Sequence, residues 1–178
     1  MTFRILHYKT LDSTNNLAIQ FARAGAAEGT VVSSEFQTKG RGRLDRSWIS
    51  PRGKGLLFSV ILRPKFKAQA APILTQLTAE AVRDALVSNF KILAKLKKPN
   101  DVLVDGKKIC GILTESSATK QKLDYVVVGI GLNVNSAQKE LIHTATSIFT
   151  ETKKKVEKEP LLLDILGRLN EKYEKINQ

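Results

Sequence analysis

Residues 102–115 read VLVDGKKICGILTE, and this stretch gives the first two strands that can be assigned in the chain. Its two apolar runs flank Asp105-Gly106, a dipeptide that favours the type I′ turn of a two-residue hairpin loop. We therefore predict a hairpin with strands at residues 102–104 and 107–115. Further strand patterns lie on both sides of it.

The segment before the hairpin, residues 91–97, alternates between apolar and mixed positions as a strand does. Lys97 falls on the mixed face where the strand ends, and residues 99–101, Pro-Asn-Asp, turn the chain into the hairpin. Because the residue before a proline favours an extended conformation, Lys98 is predicted to point to the opposite side from Lys97.

After the hairpin, residues 124–135 are predicted to form a buried strand, broken by Gly129 and Gly131, where a ligand or a neighbour can approach the backbone. Further strands are predicted at residues 3–8, 30–37 and 56–62. Helical spacing of apolar residues predicts helices from the 12–15 region to Gly25, at 70–90 and at 161–176.

Residues 12–15, Asp-Ser-Thr-Asn, place four helix N-cap residues in a row. One of them, Ser13 or Thr14, is enough to cap the helix that follows. Alternatively, the remaining hydroxyls and amide bind a polar ligand together with the free N–H groups of the helix. The residues alone leave both interpretations open.

Residues 40–48, called the basic loop below, read GRGRLDRSW and end at the single tryptophan of the chain. Glycine lets a backbone approach a ligand and arginine supplies forked, charged donors, so the loop is suited to phosphate. Because its arginines repel one another and Leu44 is its one aliphatic residue, we expect the loop to be mobile without an anion. The alternative is a solvated surface loop.

The composition fits one domain over residues 1–178, because 42% of the residues are hydrophobic and no linker divides the chain. Twenty-nine Lys and Arg against 17 Asp and Glu give a net charge of +12, which favours an anionic partner. Few aromatic residues interrupt the lysine runs, so a stacking platform for single-stranded nucleic acid is poorly supported.

Cys110 is the one cysteine of the sequence, which excludes an internal disulfide and fits a reducing compartment, so we expect a cytoplasmic protein. Two histidines without a Cys/His cluster give no zinc site. No apolar segment is long enough to predict secretion or a membrane span.

Several motifs occur together in the order and spacing of one known family. They are DSTN at residues 12–15, Gln37, the basic loop, KKPND at residues 97–101, GIL at residues 111–113 and GIGLN at residues 129–133. In this combination the chain resembles the catalytic domain of biotin protein ligases over essentially its whole length. The resemblance implies an α+β fold, in which a mixed, mostly antiparallel sheet is backed by helices, of the class II aminoacyl-tRNA synthetase and biotin ligase type.

The activity implied by the resemblance is ATP-dependent protein biotinylation. Biotin and ATP give biotinyl-5′-adenylate and pyrophosphate with Mg²⁺, and the biotin then passes to a lysine of a biotin carboxyl carrier domain, such as that of acetyl-CoA carboxylase. The DNA-binding helix-turn-helix and the small C-terminal barrel common in the family have no counterpart in these 178 residues, so we expect a minimal, non-regulatory ligase. Homodimers are common in the family, whereas the metal ligands are not assigned.

Positions that match the family's motifs carry implied roles. Biotin binding is implied for Ser13, Thr14, Asn15, Gln37, Arg41, Gly42, Arg43 and Lys97. Adenylate binding is implied for Gly40, Arg41, Arg43, Arg46, Trp48 and Asn133. Lys97 and Arg43 are the implied catalytic residues, and Lys97 would bridge the biotin carboxylate and the α-phosphate. The family usually has Trp where this chain has Lys98, which leaves open which of the two lysines acts.

Two other functions remain as alternatives. A ligase for lipoate or octanoate from the same superfamily shares the fold and the acyl-adenylate chemistry, although Gln37 and the basic loop favour biotin. A non-catalytic nucleic-acid-binding domain would use the +12 charge, bind with strong salt dependence and show no pyrophosphate chemistry.

Overall fold

A computed structural model of the chain describes residues 1–120 and 122–177. Seven strands form one sheet: β1 (Arg4–Tyr8), β2 (Thr30–Ser34), β3 (Gly55–Leu62), β4 (Lys95–Lys97), β5 (Asp101–Val104), β6 (Lys107–Thr119) and β7 (Lys122–Asn133). Their order across the sheet is β1-β2-β3-β7-β6-β5-β4. β1 and β2 are parallel and every other neighbouring pair is antiparallel, which confirms the predicted mixed, mostly antiparallel sheet.

Four α-helices accompany the sheet: α1 (Thr14–Arg23), α2 (Pro72–Phe90), α3 (Ile148–Thr152) and α4 (Lys158–Ile176). Short 3₁₀ turns lie at Ala68–Ala70 and Gln138–Glu140. Within the described residues, no helix is long and apolar enough to cross a membrane.

The two faces of the sheet are covered by different helices. On one face α2 and α4 pack together and bury Val60 and Val128 in the larger core, whereas on the other face α1 covers Ile61 and Val127. Both faces of the central strands are therefore buried, which explains why β3 is an almost unbroken apolar run. The polar residues at the start of α1 therefore lie on the face of the sheet that α1 covers.

Gly129 of β7 allows the first turn of α1 to contact the sheet directly. A Cβ atom at this position would overlap the Oδ1 atom of Asn15. The break that the sequence predicted in this strand is therefore a site of close approach, and the approaching group is the polar N-terminus of a helix.

The predicted strand at residues 91–97 is shorter in the structure. Helix α2 continues to Phe90, and Lys91 closes it in the left-handed conformation with φ of 60°. Hydrogen bonds to the last turn of the helix then hold Lys91 and Ile92, so strand β4 begins only at Lys95. Ile92 and Ala94 are buried in the larger core, so the apolar positions before Lys95 reflect core packing and not strand pairing.

Candidate active site

A cavity of about 140 Å³ lies on the α1 face of the sheet. It is bounded by the N-terminus of α1, the connection between β2 and β3, the start of β6 and the end of β7. Its lining comprises Ser13, Asn15, Gln37, Arg41, Gly42, Arg43, Arg46, Ser47, Trp48, Asn100, Asp101, Lys108, Gly111, Ile112, Leu113, Gly129, Ile130 and Gly131. Residues far apart in the sequence therefore meet in one place.

Asn15 is anchored by three hydrogen bonds at the polar end of the cavity. Its Nδ2 donates to Leu113 O at 3.2 Å and to Glu115 Oε2 at 2.8 Å, and its Oδ1 accepts from Ser59 Oγ at 2.6 Å. Both hydrogens of the amide are thus used within the protein, and one lone pair of Oδ1 remains. Asn15 can meet a ligand only as an acceptor.

Gln37 is held through its side-chain oxygen, whereas both N–H groups of the Asn15 amide are used. Its Oε1 accepts from the backbone N–H of Thr14 at 2.7 Å and from the Thr14 hydroxyl at 3.0 Å. These two bonds fix the amide so that its Nε2 group is left to donate to a ligand in the cavity. Thr14 itself is buried behind Gln37 and does not line the cavity.

Ser13 occupies the N-cap position of α1, but its hydroxyl makes no capping hydrogen bond. The Asp12 carboxylate accepts from the Ser13 backbone N–H at 2.6 Å and from Asn16 Nδ2 at 2.7 Å. The hydrogen bond from Asn16 is the largest cause that lowers the pKa of Asp12. The Ser13 hydroxyl therefore does not cap the helix, and it lies buried in the cavity lining. This favours the interpretation in which residues 12–15 bind a polar ligand.

The basic loop forms a small hairpin over the cavity. Gly42 N donates to Arg46 O at 2.6 Å and Trp48 N donates to Gly40 O at 2.9 Å. The turn between them places Leu44 and Asp45 at φ of 53° and 57°. Gly40 belongs to the hairpin but does not line the cavity. A Cβ atom on Gly40 would overlap the backbone oxygen of Trp48. That the loop orders only with an anion stays a prediction.

Arg41 of the basic loop is tied to the sheet. Its Nη2 forms an ion pair with Glu115 Oε2, the same oxygen that accepts from Asn15. Arg43 and Arg46 also line the cavity. The cavity therefore has a cationic rim above a polar, uncharged end.

Trp48 packs its indole on two glycines of neighbouring strands. A Cβ on Gly131 would lie 2.5 Å from Cε2 of the ring, and one on Gly111 would lie 2.9 Å from Cζ3. The indole Nε1 is buried and has no hydrogen-bond partner within the described chain. Both glycines are needed for the ring to lie on the sheet.

Lys108 supplies a fourth cation to the cavity. Its Nζ lies 2.7 Å from Asp101 Oδ1 and 5.4 Å from the centre of the Trp48 ring. The sequence pattern predicts an ordinary hairpin strand at Lys108 and indicates no role for it. Its position in the cavity is therefore a finding of the structure.

A β-bulge explains why Lys108 faces the cavity. Val102 pairs with Cys110 but Leu103 pairs with Lys108, so Ile109 is an extra residue in β6. Ile109 and Cys110 are both buried in the larger core. Strict alternation would put Lys108 on the core side with Cys110, and the bulge turns it to the cavity side.

Lys97, expected to bridge the reacting groups, does not line the cavity. It is exposed at the end of edge strand β4, and Lys98 is exposed as well. Strand β5 lies between β4 and the cavity, with Asp101 paired to Lys97 on one side and to Gly111 on the other. Lys97 and Lys98 therefore lie outside the cavity lining and Lys108 lies within it, and the catalytic role expected of Lys97 stays a prediction.

Asn133 also lies outside the cavity lining. It is buried at the end of β7, and its Nδ2 donates to Thr146 O at 3.0 Å. Its Oδ1 is buried and has no partner among residues 1–120 and 122–177. Asn133 shares the cavity face of β7 with Gly131, on which the indole of Trp48 packs.

Comparison with known proteins places this geometry in a family. Residues 8–133 match the model of the biotin/lipoate A/B protein ligase family. The chain belongs to this family. The bifunctional ligase/repressor BirA of Bacillus subtilis is 38% identical over 173 residues, which cover 95% of this chain and 53% of that protein. The chain thus spans about half the length of the curated relatives it matches.

Other family members agree with this placement. A biotin–[acetyl-CoA-carboxylase] ligase of Paracoccus denitrificans is 41% identical over 128 residues, covering 71% of this chain and 52% of the relative. The structure of the biotin protein ligase from Aquifex aeolicus in complex with biotin and ATP superposes with a TM-score of 0.83 and 34% identity, covering 98% of this chain and 72% of that one.

The acidic residues of this family member do not form a metal-binding group in the described part of the chain. No cluster of three or more His, Cys, Asp or Glu side chains occurs there. Asp101 is paired with Lys108, and Glu115 is paired with Arg41. Asp101, which lines the cavity, and Glu115, which contacts Asn15 and Arg41 of the lining, are therefore both paired with protein cations.

Proposed function

We propose that this chain activates biotin with ATP and transfers it to a protein lysine. The observation that carries the proposal is one cavity in which a polar end, formed by Ser13, Asn15 and Gln37, adjoins a cationic end that includes Arg43 and Lys108. Family membership and the similarity to a ligase bound to biotin and ATP support it.

The polar end fits the ureido ring of biotin. The ring N–H groups need acceptors and its carbonyl needs donors; Asn15 offers only an acceptor, and Gln37 offers donors. The Ser13 hydroxyl adds a second donor. The dithiolane ring of lipoate makes no such hydrogen bonds and would leave these groups unpaired, at a cost of about 1–3 kcal/mol each. A preference for biotin over lipoate follows.

The cationic end fits the first reaction. A carboxylate oxygen of biotin attacks the α-phosphorus of ATP, the bond from that phosphorus to the bridging oxygen breaks, and pyrophosphate leaves with the electron pair. The carboxylate is already a nucleophile, so positioning and charge neutralisation are the tasks of the protein. Arg43 and Lys108 lie in the lining to perform them, and Asp101 holds the Lys108 ammonium in place.

The nucleotide requires the cavity to enlarge. Its volume of about 140 Å³ is below the range of about 300–1,000 Å³ usual for small-molecule sites. The basic loop and the Trp48 indole are the groups that cover it, so we infer that they move when ATP binds. The free Oδ1 of Asn133 can then accept from the exocyclic amino group of adenine.

Magnesium belongs to the proposal only as a companion of ATP. Asp101 of the lining is already paired with Lys108, Glu115 is paired with Arg41, and the described residues contain no group of three His, Cys, Asp or Glu, so the donor set does not fit a protein-held ion. Mg²⁺ commonly binds through substrate phosphates and keeps several waters. We therefore derive no step through a metal ligated by this chain.

The second reaction transfers the acyl group. The ε-amino nitrogen of a carrier lysine attacks the carbonyl carbon of the mixed anhydride, AMP leaves, and the amine loses a proton to solvent. A biotin carboxyl carrier domain is the proposed acceptor. A single catalytic domain over residues 1–178, cytoplasmic location and homodimer formation are further parts of the proposal.

Pyrophosphate exchange into ATP tests the first reaction. We expect exchange with biotin, at least tenfold less with lipoate or octanoate, and none without an acid, since one lost hydrogen bond of about 1.4 kcal/mol corresponds to a factor of ten. Equal exchange with lipoate would contradict the proposal that biotin is the preferred acid. Salt-sensitive nucleic-acid binding without any exchange would favour the non-catalytic alternative.

A further inference from the structure

Glu115 connects the polar end of the cavity to the basic loop. A single oxygen, Oε2, accepts from Asn15 Nδ2 at 2.8 Å and from Arg41 Nη2. Glu115 itself does not line the cavity. It stands on the cavity face of β6, two residues beyond Leu113, whose backbone oxygen accepts from the same Asn15 amide.

Each of the two contacts has a separate consequence. The contact with Asn15 helps to fix which way the amide points, because Nδ2 is directed to Glu115 and Oδ1 to Ser59. The contact with Arg41 joins the basic loop to the sheet across 74 positions of sequence. One carboxylate thus sets the acceptor for the acid and restrains the loop that covers it.

We propose that Glu115 is a positioning residue that couples acid recognition at Asn15 to closure of the basic loop through Arg41. This inference rests on the proposed function for its kinetic consequences, but the loop restraint exists without any ligand. Because Glu115 neutralises Arg41, the cations of the lining that have no ion pair within the described residues are Arg43 and Arg46.

A simple surface ion pair is the competing explanation. Exposed pairs contribute little, and the Arg41 and Glu115 side chains are 39% and 29% exposed. The shared oxygen separates the two cases, because a surface pair would not affect the affinity for the acid. Glu115→Gln retains an oxygen that can accept from Asn15 but removes the charge that holds Arg41, whereas Glu115→Ala removes both functions.

The kinetic test measures KM for biotin and the retention of the adenylate. Glu115→Ala is expected to raise KM about tenfold, the effect of losing one positioned hydrogen bond, and to speed adenylate release. Glu115→Gln is expected to keep KM within about twofold of the unmodified chain but to release the adenylate about fivefold faster. Glu80→Gln, which alters a carboxylate paired with Lys172 between α2 and α4, is the matched control and should change neither quantity.

Amide exchange of the ligand-free protein tests the loop restraint without any turnover. The N–H groups of Gly42 and Trp48 close the loop hairpin, and they should exchange about fivefold faster in Glu115→Gln than in the unmodified chain. In an Arg41→Ala background the same substitution should have no further effect, because the partner is already absent.

The outcomes separate this inference from the proposed function. If the unmodified chain shows no biotin-dependent exchange of pyrophosphate, the proposed function fails, and amide exchange still decides whether Glu115 restrains the loop. Unchanged amide exchange in Glu115→Gln would overturn the inference. Equal rises of KM in Glu115→Gln and Glu115→Ala would also overturn it, because the retained oxygen would then have no role at Asn15.

Discussion

The Nζ atom of Lys108 lies 2.7 Å from Oδ1 of Asp101, and this pair stands at the cationic end of the cavity. Asp101 starts strand β5 and Lys108 is near the start of β6, so the hairpin that joins them sets their separation. The bulge at Ile109 then turns the lysine towards the cavity. The position of the Lys108 ammonium therefore depends on the register in which β5 pairs with β6.

Gly129→Ala is expected to weaken biotin binding, because the added methyl group would overlap Asn15 Oδ1. Loss of the positioned amide should raise the Kd for biotin at least about tenfold, measured by calorimetry. Gly167→Ala is the matched control, because nothing lies within 4 Å of its added Cβ and helix α4 should gain about 0.5–1 kcal/mol of stability. Normal biotin affinity in Gly129→Ala would show that Asn15 does not contact the acid.

The basic loop should become ordered when the adenylate forms. Arg41 is paired with Glu115, but Arg43 and Arg46 repel each other until a ligand anion neutralises them, so the amides of residues 40–48 should exchange more slowly after biotin and ATP are added. Hydrogen exchange followed by mass spectrometry measures this, with residues of α4 as the internal reference. Unchanged exchange of the loop during measured turnover would count against a mobile lid.

Arg43→Gly should weaken retention of the adenylate. Arg43 lines the cavity without the ion pair that occupies Arg41, so it is free to contact the mixed anhydride. Early release of the intermediate would allow it to react with lysines of unrelated proteins, which is read as biotin incorporated into added serum albumin. A variant that modifies only the carrier domain, with unchanged adenylate dissociation, would give Arg43 another role.

Glu35 should contribute stability that disappears in acid. Its pKa is lowered below 4.5, chiefly by the hydrogen bond from Lys158 at 3.0 Å. Since the folded-state pKa is the lower one, this contribution is complete above the ordinary pKa and is lost as the pH falls through the folded value. Glu35→Gln should therefore lower the free energy of unfolding at pH 7 by less than about 1 kcal/mol, with the difference shrinking below pH 4.5.

Urea denaturation at several pH values measures this effect. Glu171→Gln, an exposed change on helix α4, serves as the control for loss of one charge. A difference between Glu35→Gln and the unmodified chain that stayed constant from pH 7 to well below 4.5 would exclude the linkage to the Glu35 carboxylate.

Local signals predicted much of the fold. Asp105 and Gly106 adopt φ of 46° and 80°, so the Asp-Gly turn that the sequence indicated is confirmed. The expectation that other groups approach the backbone at Gly129 and Gly131 is also confirmed, since Asn15 and Trp48 do so. These features depend on one or two residues whose conformational needs are specific.

The position of Lys108 in the cavity was not predictable from such local signals. Alternation along residues 107–113 assigns Lys108 to the core side, and only the pairing of β5 with β6 reveals the extra residue at Ile109. A clue was present in the sequence, because a lysine followed by two consecutive core residues does not fit strict alternation. Long-range contacts such as Arg41 with Glu115 leave no comparable local pattern.

Single-turnover formation of biotinyl-adenylate by Lys108→Ala and Lys97→Ala tests the central claim most directly. We predict that Lys108→Ala forms the adenylate about 100-fold more slowly, the scale of losing one preorganised transition-state donor. Lys97→Ala, which removes an exposed lysine outside the cavity, should stay within about twofold of the unmodified chain. A large loss in Lys97→Ala with a normal rate in Lys108→Ala would contradict the account.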